Sequence, residues 1–188
     1  MNNYDDINSF LKANYIKLTI PQLAEINHYY PQAEQFPNRG PYWRTAANTY
    51  GEMRYNCPGI FLSQSFAAPT SGVKTWQYQW DVVSDDNKKS GMGVTHTADV
   101  AAIWGSVGLP DIAQHLTIAR YHTSFVRMHD PNPLREKGSP EWENFALDKG
   151  QKRMHFVNDV SKNAMQEIDK AQIERCGYLA KIGAAASM

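Results

Sequence analysis

Histidine is the side chain that exchanges a proton near neutral pH, so His96 and its surroundings are the natural starting point for chemistry in this chain. It lies in Gly91–Gly105, GMGVTHTADVAAIWG. Gly91-Met92-Gly93 supplies a backbone that can turn sharply just before the histidine. A short apolar segment follows and Gly105 stops it. Thr95 or His96 is placed to cap that helix, with Asp99 in its first turn, where a carboxylate suits the positive end of the helix dipole. Such a histidine is either a general base or an ordinary surface residue.

The other reactive residues offer less. His115, His122 and His129 recur every seven positions. Seven residues climb about 10 Å of helix, so three such rings cannot share one ion. They read as partly exposed helix histidines, and no HExxH or CxxC is present. Gly105-Ser106-Val107-Gly108 falls short of the G-x-S-x-G elbow and follows an apolar helix instead of a strand, so Ser106 reads as a turn residue. Cys57 could act as a nucleophile with His96 as its base. It sits on an apolar face beside Pro58, which favours a structural cysteine. Cys57 and Cys176 are the only cysteines and allow either one disulfide or two buried thiols. Nothing resembles a phosphate-cradling loop. The residues alone therefore offer one candidate base, no convincing nucleophile, no metal site and no cofactor site.

These residues must be positioned by a packed globular chain. The 188 residues fit one domain with a sizeable core, and 12% of them are aromatic. The formal net charge is +0, which favours neither a nucleic-acid nor a membrane-surface partner. No apolar run approaches a membrane span, and the start, MNNYDDINSF, is not a signal peptide.

Helical spacing is read over Asp5–Tyr15, from a capping box at Thr19 to Tyr30, weakly over Pro41–Thr49, and over Glu52–Ala68. Val73–Trp80 changes period: Trp76, Tyr78 and Trp80 alternate with polar residues, as in a half-buried strand. Ser84–Ser90 reads as a polar loop. Asp111–His129 is the longest predicted helix, with Ile112, Leu116, Ala119 and Val126 on its apolar stripe. Lys152–Val157 reads as a short strand and Met165–Ile182 as a terminal helix.

The order of landmarks resembles the C-terminal part of a type-B carboxylesterase, the α/β-hydrolase family that includes cholinesterases and many secreted lipases. An aromatic-x-Cys-Pro segment is matched by Tyr55, Cys57 and Pro58, and a Val-x-x-Trp-x-Tyr strand by Val73, Trp76 and Tyr78. The family's Gly-x-x-His-x-x-acidic turn is matched by Gly93, His96 and Asp99, leading to Trp104-Gly105. Phe125 precedes Asp130-Pro131-Asn132, Pro140-x-Trp142 follows, and Cys176 stands just before Tyr178. There are three departures. Thr97 and His129 each stand where the family usually has glycine, and Asp99 stands where glutamate is common.

The resemblance implies an α/β fold with residues 1–188 as the C-terminal region of the hydrolase domain, mostly helices on a few edge strands of an incomplete sheet. It implies that His96 is the catalytic histidine of a Ser-His-Glu/Asp triad, that Asp99 steadies the histidine loop, and that Cys57 and Cys176 form a disulfide. The serine elbow, oxyanion hole and acidic triad member would lie upstream, so the partners are an N-terminal half and a small-molecule or lipid ester. No cofactor or metal is implied. The parent protein would be secreted, and the chain alone inactive. A non-catalytic cholinesterase-like interaction module is the alternative; retention of His96 argues against it.

Overall fold

Helix α1 (Tyr4–Asn14) begins where the Asn3 side chain accepts a hydrogen bond from the Asp6 amide, and it buries Ile7 and Leu11. The computed structural model describes residues 1–68, 71–105 and 112–187. They form two compact units, one from 1–62 and 169–188, the other from 63–168.

In the first unit, α2 (Ile20–Tyr29) opens on the expected capping box between Thr19 and Gln22 and buries Leu23 and Ile26. Helix α3 (Trp43–Gly51) runs into a π-helical turn, Glu52–Asn56, before α4 (Cys57–Phe66). The expected single helix over Glu52–Ala68 is thus divided. The wider turn accompanies a buried charge: Glu52 is only 8% exposed. Its carboxylate accepts bonds from Tyr30, Gln172 and Arg175, so the charge is paired as burial requires. Gln172 and Arg175 lie on α8 (Lys170–Ser187). Cys57 and Cys176 are joined by a disulfide with Cα atoms 5.1 Å apart.

The second unit holds a three-stranded sheet in the order β1-β2-β3. Strand β1 (Tyr78–Asp81) runs parallel to β2 (Lys152–Val157), and β3 (Ala164–Glu167) runs antiparallel to β2. A parallel pair needs a long crossover. Here it includes α5 (Asp85–Ser90), α6 (Val100–Trp104) and α7 (Ile112–Met128). Register sets Tyr78 beside Met154 and Trp80 beside Phe156. Those four side chains, with Trp76, pack into a core with Val82, Ala102, Ile118, Tyr121 and Trp142.

Other sequence expectations change as well. Ser84–Ser90 is not a loop, because Ser84 caps α5 through the Asn87 amide and Gly91 closes it in a left-handed conformation. The terminal helix begins at Lys170 instead of Met165, because residues 164–167 pair with β2. Helix α7 turns the opposite way from its hydrophobic pattern. Its buried face is Gln114, Thr117, Ile118, Tyr121 and Ser124, while Ile112, Leu116 and Val126 are exposed. The polar face can go inside because its groups are paired. Gln114 and Asn163 exchange two amide bonds of 2.8 Å, and Ser124 donates to the Asp130 carbonyl at 2.8 Å. No described helix is long and apolar enough to cross a membrane.

Candidate active site

His96 sits on a turn built from left-handed residues. Gly91, Gly93 and Thr97 have φ of 70°, 66° and 68°. Glycine adopts this region freely, but a β-branched threonine there is an outlier. The strained position is the one where the family resemblance puts glycine. Two short turns shape this segment: Ala98 N–H to the Thr95 carbonyl at 3.2 Å encloses the histidine, and Val100 N–H to the Thr97 carbonyl at 3.1 Å follows it. The Thr97 hydroxyl donates to the His96 carbonyl at 2.5 Å. The imidazole end of this turn is exposed.

The N-cap of α6 is Asp99, neither Thr95 nor His96, and Asp99 lies one step before the first turn where the spacing had put it. Its backbone is helical, φ −80° and ψ −23°, and its carboxylate makes no capping bond. The carboxylate instead accepts the Tyr78 phenol from β1 at 2.5 Å. Burial, then the Asp99 carboxylate, push the phenol's pKa well above its usual value, so Tyr78 stays a donor.

The Tyr78 ring is held by aromatic edges: Trp142 at 5.9 Å, Phe156 at 6.0 Å and His122 at 6.0 Å. Trp142 is fixed in turn. Its N–H donates to Asn132 Oδ1 at 2.7 Å and its indole donates to the Gln77 carbonyl at 2.9 Å. Asp130 holds Asn132 through the Asn132 amide at 2.8 Å. The Asp-Pro-Asn, Pro-x-Trp and Trp-x-Tyr landmarks therefore converge on one tyrosine.

The remaining candidates lie apart. His115 contacts the Ala102 carbonyl, His122 Nδ1 lies 2.9 Å from the Ile118 carbonyl of its own helix, and His129 ends α7 at φ 57°. Ser106 and the start of the Asp111–His129 prediction fall outside the described residues. Cys57 is disulfide-bonded and has no thiol to attack with. Glu52, Cys57 and Cys176 bring ligand-type atoms within 4.8 Å, yet both sulfurs are committed to the disulfide. Trp76, Tyr78 and Trp80 are partly buried and pack against the core, as a half-buried strand requires.

Sequence reasoning missed a histidine–carboxylate contact. His155 Nε2 is 2.6 Å from Asp81 Oδ2, and Gln79 donates to the other oxygen at 3.1 Å. It clips β1 to β2. Alternation along β2 puts His155 opposite Met154 and Phe156, but the parallel register that delivers Asp81 has no local signal.

The sequence profile of the carboxylesterase family matches residues 2–176. Secreted lipase 4 of Gibberella zeae is 32% identical over 135 residues, 66% of this chain and 23% of the lipase. The crystal structure of Aspergillus niger EstA matches 100% of this chain and 37% of its own, with a TM-score of 0.89 and 26% identity. Juvenile hormone esterase from Manduca sexta, solved with OTFP covalently attached, matches 97% of this chain and 36% of its own. At a TM-score of 0.63 and 14% identity it shows likeness of fold alone. The helix-rich architecture with its small sheet is that of the α/β-hydrolase esterases. The chain spans between 23% and 37% of the length of these three relatives.

Proposed function

We propose a function from one premise, that the chain belongs to the carboxylesterase family. It acts as the C-terminal region, residues 1–188, of a carboxylic-ester hydrolase, and His96 is the general base of its Ser-His-acid triad. The observation that carries this reading is the turn that presents His96. An exposed imidazole stands on a glycine-hinged loop whose far end is tied to a core strand through Asp99 and Tyr78. A proton shuttle needs that combination, since the ring must reach a partner group while its backbone stays put.

In this reading a serine from the upstream region attacks the ester carbonyl. His96 takes the serine proton, returns it to the leaving alcohol, then activates water. The upstream region also supplies the oxyanion donors and the acid that fixes the histidine tautomer. Asp99 positions the loop and exchanges no proton. Substrates are small-molecule or lipid esters. The Cys57–Cys176 disulfide and the likeness to a secreted lipase support an extracellular site of action.

The test is activity of the chain alone and joined to the upstream region of the EstA-type relative. Alone it should hydrolyse an activated ester no faster than a histidine-containing control protein, because losing even one oxyanion donor costs about 10²–10³ in rate. Joined, His96→Ala should remove on the order of 10⁴-fold or more of turnover, Asp99→Ala less, and His122→Ala hardly any. Full activity after His96→Ala would refute the assignment of this histidine, and a joined protein with no esterase activity at all would favour a non-catalytic interaction module.

A further inference from the structure

We infer that Tyr78 is a positioning residue for the His96 loop and acts through Asp99; the inference rests on the reading of His96 as the general base. The Asp99 carboxylate stands at a helix N-cap, where its usual partner is an amide of the first turn. Here it makes no such bond and accepts the Tyr78 phenol at 2.5 Å. A hydrogen bond to a charged acceptor in a half-buried setting is among the stronger contacts a side chain makes.

The donor cannot drift. Trp142, itself pinned by Asn132 and the Gln77 carbonyl, flanks the Tyr78 ring, Phe156 packs from β2, and His122 approaches from α7. The acceptor lies three residues after His96, and its own carbonyl receives the Ile103 amide at 3.0 Å. Tyr78 thus fixes the point where the histidine turn becomes helix. The turn before that point carries the strained Thr97, φ 68°, whose relaxation would swing His96. The phenol holds the loop against that relaxation.

The experiment compares Tyr78→Phe, Asp99→Ala and the double variant with the parent 188-residue chain. Phenylalanine keeps the ring packing and removes only the hydroxyl. Amide hydrogen exchange should quicken about tenfold at Ala98, Val100 and Ile103 in either single variant, with no further gain in the double. The Met154 amide, bonded to the Gln77 carbonyl in the β1–β2 region, should be unchanged. In the joined enzyme, Tyr78→Phe should lower kcat about tenfold and leave KM alone when rates are taken per active site titrated by an activated-ester burst, a normalisation that removes any loss of folded enzyme. Unchanged loop exchange in Tyr78→Phe overturns the inference. So does additive quickening in the double variant, since Tyr78 would then act by a route other than Asp99. If His96→Ala retains full turnover while the exchange results hold, the general-base reading has failed and the catalytic role of Tyr78 fails with it. If His96→Ala is inactive and Tyr78→Phe keeps full kcat, the base reading survives and the inference alone is lost.

Discussion

Arg175 grips Glu52 along both carboxylate oxygens, Nε to Oε2 at 2.9 Å and Nη2 to Oε1 at 2.7 Å. The fork is bidentate and mostly buried, and Tyr30 and Gln172 complete the carboxylate's shell. Glu52→Ala should destabilise the first unit by about 3–5 kcal/mol, because it strands a buried guanidinium. Replacing both partners with apolar residues, Glu52→Leu with Arg175→Met, should cost much less. Urea unfolding of the three chains decides it, and equal losses in single and double variants would show that packing outweighs the ion pair.

Thr97 and His129 occupy left-handed backbone at φ 68° and 57°. A non-glycine residue there costs roughly 1–2 kcal/mol, partly offset by the chain entropy that glycine loses on folding. Thr97→Gly and His129→Gly should each raise stability by up to about 1 kcal/mol and raise the thermal midpoint. A lowered midpoint for Thr97→Gly would mean that its 2.5 Å contact with the His96 carbonyl outweighs the strain.

Two buried phenols, Tyr30 and Tyr121, and the half-buried Tyr78 should make the protein sensitive to alkali. Burial pushes Tyr121 up to about 12, against some lowering by Arg135 and Ser139. Burial first and a carboxylate second push Tyr30 and Tyr78 higher still, Glu52 acting on Tyr30 and Asp99 on Tyr78. A phenol whose folded pKa lies above its unfolded value near 10 stabilises the fold fully below pH 10 and loses that contribution as pH rises through the folded value. Unfolding free energy should therefore fall from about pH 10 upward, with the Tyr121 part lost by about pH 12. Phenolate absorbance should show these rings ionising only as the chain unfolds, and Tyr121→Phe should shallow the decline.

Helix α7 presents Ile112, Leu116 and Val126 to solvent, Val126 with 75% of its surface exposed. Beside it Trp104 is 79% exposed, and β1 is an edge strand. Exposed apolar patches and open strand edges promote association. Val126→Lys with Leu116→Gln should shift the isolated chain toward monomer in light scattering while changing stability by no more than about 0.5 kcal/mol. A large loss of stability would show that this face is already packed.

Local chemistry was legible in the residues. Thr19 and Gln22 announced α2, the alternation at Trp76–Trp80 announced β1, and the glycines before His96 announced its turn, because capping, pleating and positive φ act within a few residues. The order of landmarks pointed to the esterase family and to the Cys57–Cys176 pair. The hydrophobic stripe of α7 misled, since periodicity says which residues could share an apolar face and not whether this chain covers it. Only tertiary structure could set Gln114 against Asn163, 49 residues away, and so turn the polar face inward. Only the parallel register of β1 and β2 could bring His155 to Asp81 across 74 residues. The Tyr78–Asp99 contact belongs with these. An N-cap aspartate in sequence points to its own helix, and the choice of a strand's phenol over those amides is made by the packed aromatic core that delivers the phenol to it.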